Sequence, residues 1–65
     1  MSHYQTGLTT LANQLQTYVN EGMPFDMVAA IASALVDYFC AIYHVNPEPI
    51  ILYLKQKVRG LPDDF

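Results

Sequence analysis

Residues 27–43 read MVAAIASALVDYFCAIY. Seventeen residues pass with a single charge among them, Asp37, placed beyond the middle. A segment this apolar is surrounded either by lipid or by protein, and the choice between them decides the fold. Projected down a helix axis at about 100° per residue, Asp26, Ser33, Asp37 and His44 fall within about 20° of one line. Small residues, Ala29, Ala30, Ala34, Cys40 and Ala41, run beside that polar stripe. Val28, Ile31, Leu35, Phe39 and Ile42 lie opposite, with Met27 and Tyr38 on one flank and Phe25, Val36 and Tyr43 on the other. A membrane span needs about 20 apolar residues. Asp37 near its middle would cost roughly 2.5–3.5 kcal/mol on insertion scales. The flanks also lack the Lys and Arg that orient a span. The expectation is a helix packed by protein, with no membrane.

Punctuation around this segment sets the remaining elements. Tyr4, Leu8, Leu11, Ala12, Leu15, Tyr18 and Val19 recur at three- and four-residue steps, the pattern of a one-faced helix over about 4–20. Gly22 is placed to close it in the left-handed conformation. Pro24 fits the first turn of the second helix, and Asp26 meets the positive end of its dipole. Asn46-Pro47-Glu48 reads as N-cap, first helical residue and dipole partner of a third helix. Pro49 still lies in that first turn, where no intrahelical N–H is needed. Gly60-Leu61-Pro62 stops this helix after Arg59. The sequence therefore predicts an all-α fold, a three-helix antiparallel mini-bundle over about 4–20, 24–44 and 47–59 with a long central helix. Residues 1–65 form one domain, with 61–65 a frayed tail.

A chain of this length buries only roughly 60% of its unfolded surface, and such chains lean on disulfides, metals or oligomerisation. Cys40 is the sole cysteine, so no disulfide forms within the chain. A lone cysteine and an N-terminus, MSHYQTGLTT, without early Lys or Arg fit a cytoplasmic protein rather than a secreted one. The composition is 52% hydrophobic and only 14% charged. The usual charged share is about 25%. Nominal surface is therefore expected to be covered. The net charge of −3 has the wrong sign for binding nucleic acid. The first helix carries no charge between Tyr4 and Asn20, and its outer face is Gln5, Thr9, Asn13, Gln14, Gln16 and Thr17. Uncharged amides and hydroxyls pack against another surface at lower desolvation cost than Lys or Glu. Homo-oligomerisation through the second helix is expected to complete the bundle, as a two-fold dimer, the commonest form, or as a higher closed ring. Phe25, Met27, Ala29, Val36, Tyr38, Cys40 and Tyr43 are the candidate interface residues.

Three constellations have chemical readings. Asp37, Cys40 and His44 stand at i, i+3 and i+7, and all three types ligate zinc or iron. One helix alone supplies them, however, so the expectation is no metal and no other cofactor. Cys40 and His44 also have the reach of a nucleophile and a base. No glycine-rich turn offers an oxyanion site, and no enzymatic activity is expected. Lys55, Lys57 and Arg59 hold all the positive charge, beside Tyr53. Their simplest role is to complement the helix dipole. The alternative is an anion site, with Tyr53 stacking on a base. The function expected is a small non-enzymatic regulatory protein that self-associates through the second helix and binds another protein, with inhibition of that protein as one outcome. The alternative is an oligomeric binder of a small anionic ligand such as a nucleotide.

Overall fold

The structure is a computed structural model that describes residues 3–63 and 65. Three helices, α1 (His3–Asn20), α2 (Phe25–Tyr43) and α3 (Pro47–Lys57), pack together, and no strand occurs among the described residues. The longest dimension is 31 Å. It matches the length of α2, which has 19 residues and so spans about 28 Å, at about 1.5 Å for each.

Local chemistry explains most boundaries. Gly22 sits at φ 80°. Its N–H donates to Val19 O at 3.0 Å, and that of Met23 to Tyr18 O at 3.2 Å. These are the paired bonds of a Schellman closure. Pro24 caps α2 from outside it, and its carbonyl accepts from the N–H groups of Met27 and Val28. At the far end His44 is left-handed, φ 55° and ψ 47°, and the N–H of Val45 reaches Cys40 O at 3.2 Å. α2 thus closes much as α1 does, but without a glycine. Asn46 Oδ1 accepts from Glu48 N at 3.0 Å, and Pro47 opens α3.

The core is apolar throughout. Leu11 and Leu15 of α1, Val28, Ala32, Val36 and Phe39 of α2, and Ile50, Leu54 and Val58 at α3 are buried, as are Ala12 and Cys40. No buried side-chain polar atom among the described residues lacks a partner. Tyr4, Phe39 and Tyr43 stack at one end, with ring centroids 5.4, 5.5 and 4.7 Å apart. The hydroxyl of Tyr43 donates to His3 O at 3.3 Å, so the end of α2 meets the start of α1.

Two expectations are corrected here. α3 ends at Lys57, not Arg59: Val58 turns to extended backbone, φ −102° and ψ 120°, and its side chain enters the core. Arg59 is held instead by Gln16 of α1. Its N–H donates to Oε1 at 2.9 Å, and its carbonyl accepts from Nε2 at 3.2 Å. Gln16 is therefore a clasp between α1 and the end of α3, not part of an outer face. Of the tail expected to fray, Asp64 lies outside the described residues. Leu61 and Phe65 pack at the core's edge, and Lys55 Nζ donates to Asp63 O at 2.7 Å.

Candidate interaction surface

α2 does not turn its largest side chains inward as a set. Its buried residues are Val28, Ala32, Val36, Phe39 and Cys40. At about 100° per residue they centre on a line about 50° round from Val28. Ala32 lies near the centre of that face, and a small side chain there lets neighbours approach closely. The rotation has a cost on the other side. Met27 is 51% exposed, Tyr38 69% and Ile42 51%, while Ile31 and Leu35 are half-buried between them. Ile31, Leu35, Tyr38 and Ile42 follow steps of four, three and four residues, the spacing of a helix–helix seam. Asp26, Ser33 and Asp37 occupy the remaining sector, exposed.

Beside this stripe a groove of about 380 Å³ opens between α1 and α2. One wall is Leu35, Tyr38 and Ile42, the other Thr10 and Gln14, and Leu11, Phe39 and Tyr43 make the floor with Gly7. None of these residues is charged. Gly7 keeps the helices close, since a Cβ there would stand 3.0 Å from Phe39 Cε2. A second depression, about 390 Å³, lies between the first turn and Gly60, with Phe25 in its lining. Phe25 is 67% exposed.

The candidate interface residues divide accordingly. Phe25, Met27 and Tyr38 are open to solvent, and Ala29 and Tyr43 are half-buried. Val36 and Cys40 lie inside the chain's own core, so they offer nothing to a partner surface. Leu35, Ile42, Thr10 and Gln14 were not among the residues expected. The four-three-four spacing was the available signal for the first two. The groove walls on α1 had none beyond the absence of charge.

The chemical constellations disperse. Asp37 and His44 are exposed while Cys40 is buried, and among the described residues no three His, Cys, Asp or Glu gather closely enough to hold a metal. Burial, and secondarily the Asp37 carboxylate, push the Cys40 thiol above its usual range. It stays protonated near neutrality, the opposite of an activated nucleophile. Lys55 is engaged by Asp63 O and lies 5.5 Å from the Phe65 ring centroid. Lys57, two residues on, projects about 160° away from it at about 100° per residue. Tyr53 packs half-buried at the core's edge, and Arg59 falls beyond the helix. Lys55 and Lys57 thus point to different sides, while Tyr53 and Lys57, four positions apart, share a face.

α2 is long and apolar enough by length and composition to cross a membrane. The residues that make it so include the core face already occupied by α1 and α3. Comparison with protein families, characterised proteins and solved structures finds nothing that matches this chain.

Proposed function

We propose that the chain is a non-enzymatic helical interaction protein. It self-associates through α2, which completes the bundle, and its remaining apolar surface binds and occludes another protein. The observation that carries this reading is the partly covered stripe from Met27 to Ile42, whose Met27, Tyr38 and Ile42 stay open after the three helices have filled their core. Soluble monomers rarely expose contiguous apolar patches beyond a few hundred Å². The uncharged groove walls support the same reading, because polar amides and hydroxyls there are desolvated at modest cost. Leu52, 55% exposed on α3, and Phe25 supply apolar surface away from the stripe for a different partner. The anionic-ligand alternative has less support, since Lys55 is engaged by Asp63 O and the Arg59 backbone by Gln16 beyond the end of α3.

Light scattering or sedimentation across a concentration series tests the reading. The expected result is a mass that rises above the 7.3 kDa of one chain as concentration increases. Strict 7.3 kDa behaviour at every concentration would sink it.

A further inference from the structure

We propose that the open face of α2 docks a cationic amphipathic helix of another protein, its apolar seam on Met27, Ile31, Ala34, Tyr38 and Ala41 and its Lys or Arg side chains at Asp37 and Asp26. This rests on the interaction-protein reading, names the chemistry of the partner and sets it on the α2 face, where it competes with a second copy. The five seam residues follow steps of four, three, four and three, the heptad spacing that a second helix matches. All are exposed except Ile31, which is half-buried. Ala34 and Ala41 are low points on either side of Tyr38, the most exposed large side chain of α2, so the seam offers a partner holes as well as a knob. From Met27 to Ala41 it is about 21 Å long at about 1.5 Å per residue, the length of one short helix.

Charge selects the partner. From His3 to Leu54 the chain carries four carboxylates, Glu21, Asp26, Asp37 and Glu48, and no Lys or Arg; all three cations follow, at Lys55, Lys57 and Arg59. In projection Asp37 stands about 80° and Asp26 about 100° from the seam line, both on the same side. These are flanking positions, where charge decides which helix pairs with which. The other flank holds uncharged Leu35 and Ile42, so the face presents one sign only. Ala30 and Ala41 keep the ground between seam and carboxylates low and exposed. The aliphatic stem of a Lys or Arg lies along such apolar ground with its charged head beyond it, here at the carboxylate. A second copy brings carboxylates and no cation on its own α2, and like charges juxtaposed across an interface are costly. A cationic helix is therefore the stronger occupant and displaces the copy.

Two stapled helical peptides of about 18 residues, long enough for the seam at about 1.5 Å per residue, test this. Both carry one leucine heptad seam; one has Lys and the other Glu at the flanking positions. They are titrated at low salt by fluorescence anisotropy against wild type, Asp37→Lys, Tyr38→Ala and Glu48→Lys, with helicity checked by circular dichroism. Asp37, Tyr38 and Glu48 are all exposed, so no change enters the core. Wild type is expected to bind the Lys peptide at least about tenfold tighter than the Glu peptide, equivalent to about 1.4 kcal/mol. Asp37→Lys should cut that preference at least about threefold, and Glu48→Lys, the same reversal on α3, should change it less than about twofold. Tyr38→Ala should weaken both peptides about tenfold. Equal affinity of wild type for the two peptides, no binding of either, or a Tyr38→Ala variant that binds like wild type overturns the proposal, and the wild-type comparison decides even if a variant unfolds. Sedimentation of wild type with saturating Lys peptide should show a one-to-one complex. A homo-oligomer that persists undiminished under the peptide means that a second copy holds the face, which overturns the cationic partner while self-association stands. A chain that is monomeric alone and binds the Lys peptide supports the docked helix while overturning self-association.

Discussion

Replacing Gln16 with alanine removes a side chain whose hydrogen bonds tie α1 to the end of α3. The Gln16 amide imitates a backbone partner, accepting from Arg59 N at 2.9 Å and donating to Arg59 O at 3.2 Å. It also donates to Asn20 Oδ1 at 3.1 Å, a contact within α1 that adds nothing between elements. A neutral intramolecular hydrogen bond contributes about 0.5–1.5 kcal/mol net. Gln16 is half-buried, so water replaces part of what is lost, and alanine's better helix propensity returns a few tenths of a kcal/mol. The expected loss is therefore about 1–2 kcal/mol for the two bonds to Arg59. At roughly 0.05–0.15 kcal/mol per residue, a chain of this length has only about 3–10 kcal/mol in total. A loss of about 1 kcal/mol moves the midpoint of a small domain by about 4–8 °C, so Gln16→Ala should melt roughly 5–15 °C lower. Thermal circular dichroism gives the midpoint, and amide exchange at Arg59 gives the local effect. Gln16→Glu sharpens the test. Its carboxylate still accepts from Arg59 N but sets a second oxygen against Arg59 O, so it should destabilise at neutral pH. It should recover in part below about pH 4, where the carboxyl is protonated and can donate. An alanine variant that melts with wild type, with Arg59 exchange unchanged, would refute the clasp.

Other substitutions probe the caps and the buried thiol. His44 is a left-handed non-glycine residue. His44→Gly relieves a strain of about 1–2 kcal/mol, against about 0.5–1 kcal/mol of added chain entropy. The urea midpoint should rise, and a fall would mean that the His44 side chain stabilises the fold. Asn46→Ala removes the bond to Glu48 N and should cost about 1 kcal/mol, read from the same unfolding curves. Cys40 predicts an alkaline weakness. Its folded pKa is raised by burial and by Asp37, so the folded chain holds the thiol proton more tightly than the unfolded chain. Its contribution is complete below the ordinary thiol value of about 8.5 and is lost as pH climbs from there through the folded value. Urea titrations at about pH 7.5 and 9.5 should therefore show wild type losing more stability than Cys40→Ala. Equal losses would contradict the assignment.

Element identity was legible because it is written in local chemistry. Gly22 beyond α1 and Asn46-Pro47 before α3 act through their own backbone and side-chain bonds, and each adopts the geometry its residue type prefers. What was hidden depends on contacts distant in sequence. Val58 and Arg59 carry no signal that a helix should stop before them. It stops because the Val58 side chain is drawn into the core and Gln16, 43 positions earlier, takes up the Arg59 backbone groups. The approach of Lys55 to the Phe65 ring likewise joins positions that composition alone does not bring together. The rotation of α2 was illegible for another reason. A helix apolar on most of its circumference has no single preferred inward face, so the shapes of α1 and α3 choose one, and Ala32 and Cys40 win over Ile31 and Ile42.

That choice divides α2 into three sectors about 120° apart, at about 100° per residue. One holds Val28, Ala32, Val36, Phe39 and Cys40, buried against the rest of the fold. One holds Asp26, Ser33 and Asp37 in water. The third holds Met27, Ile31, Leu35, Tyr38 and Ile42, and is only partly covered. A bilayer would have to surround all three sectors. It would strip α1 and α3 from the first and carry the carboxylates of the second into hydrocarbon, at roughly 2.5–3.5 kcal/mol for an Asp near the centre. A protein partner needs only the third. The helix's composition is the same in both cases, but a protein environment, unlike a membrane span, leaves the core intact and the acidic sector in water. The same division explains why so little charge is enough for this chain: Asp26 and Asp37 keep one sector of α2 solvated, and the sector that lacks charge is the one free to be covered.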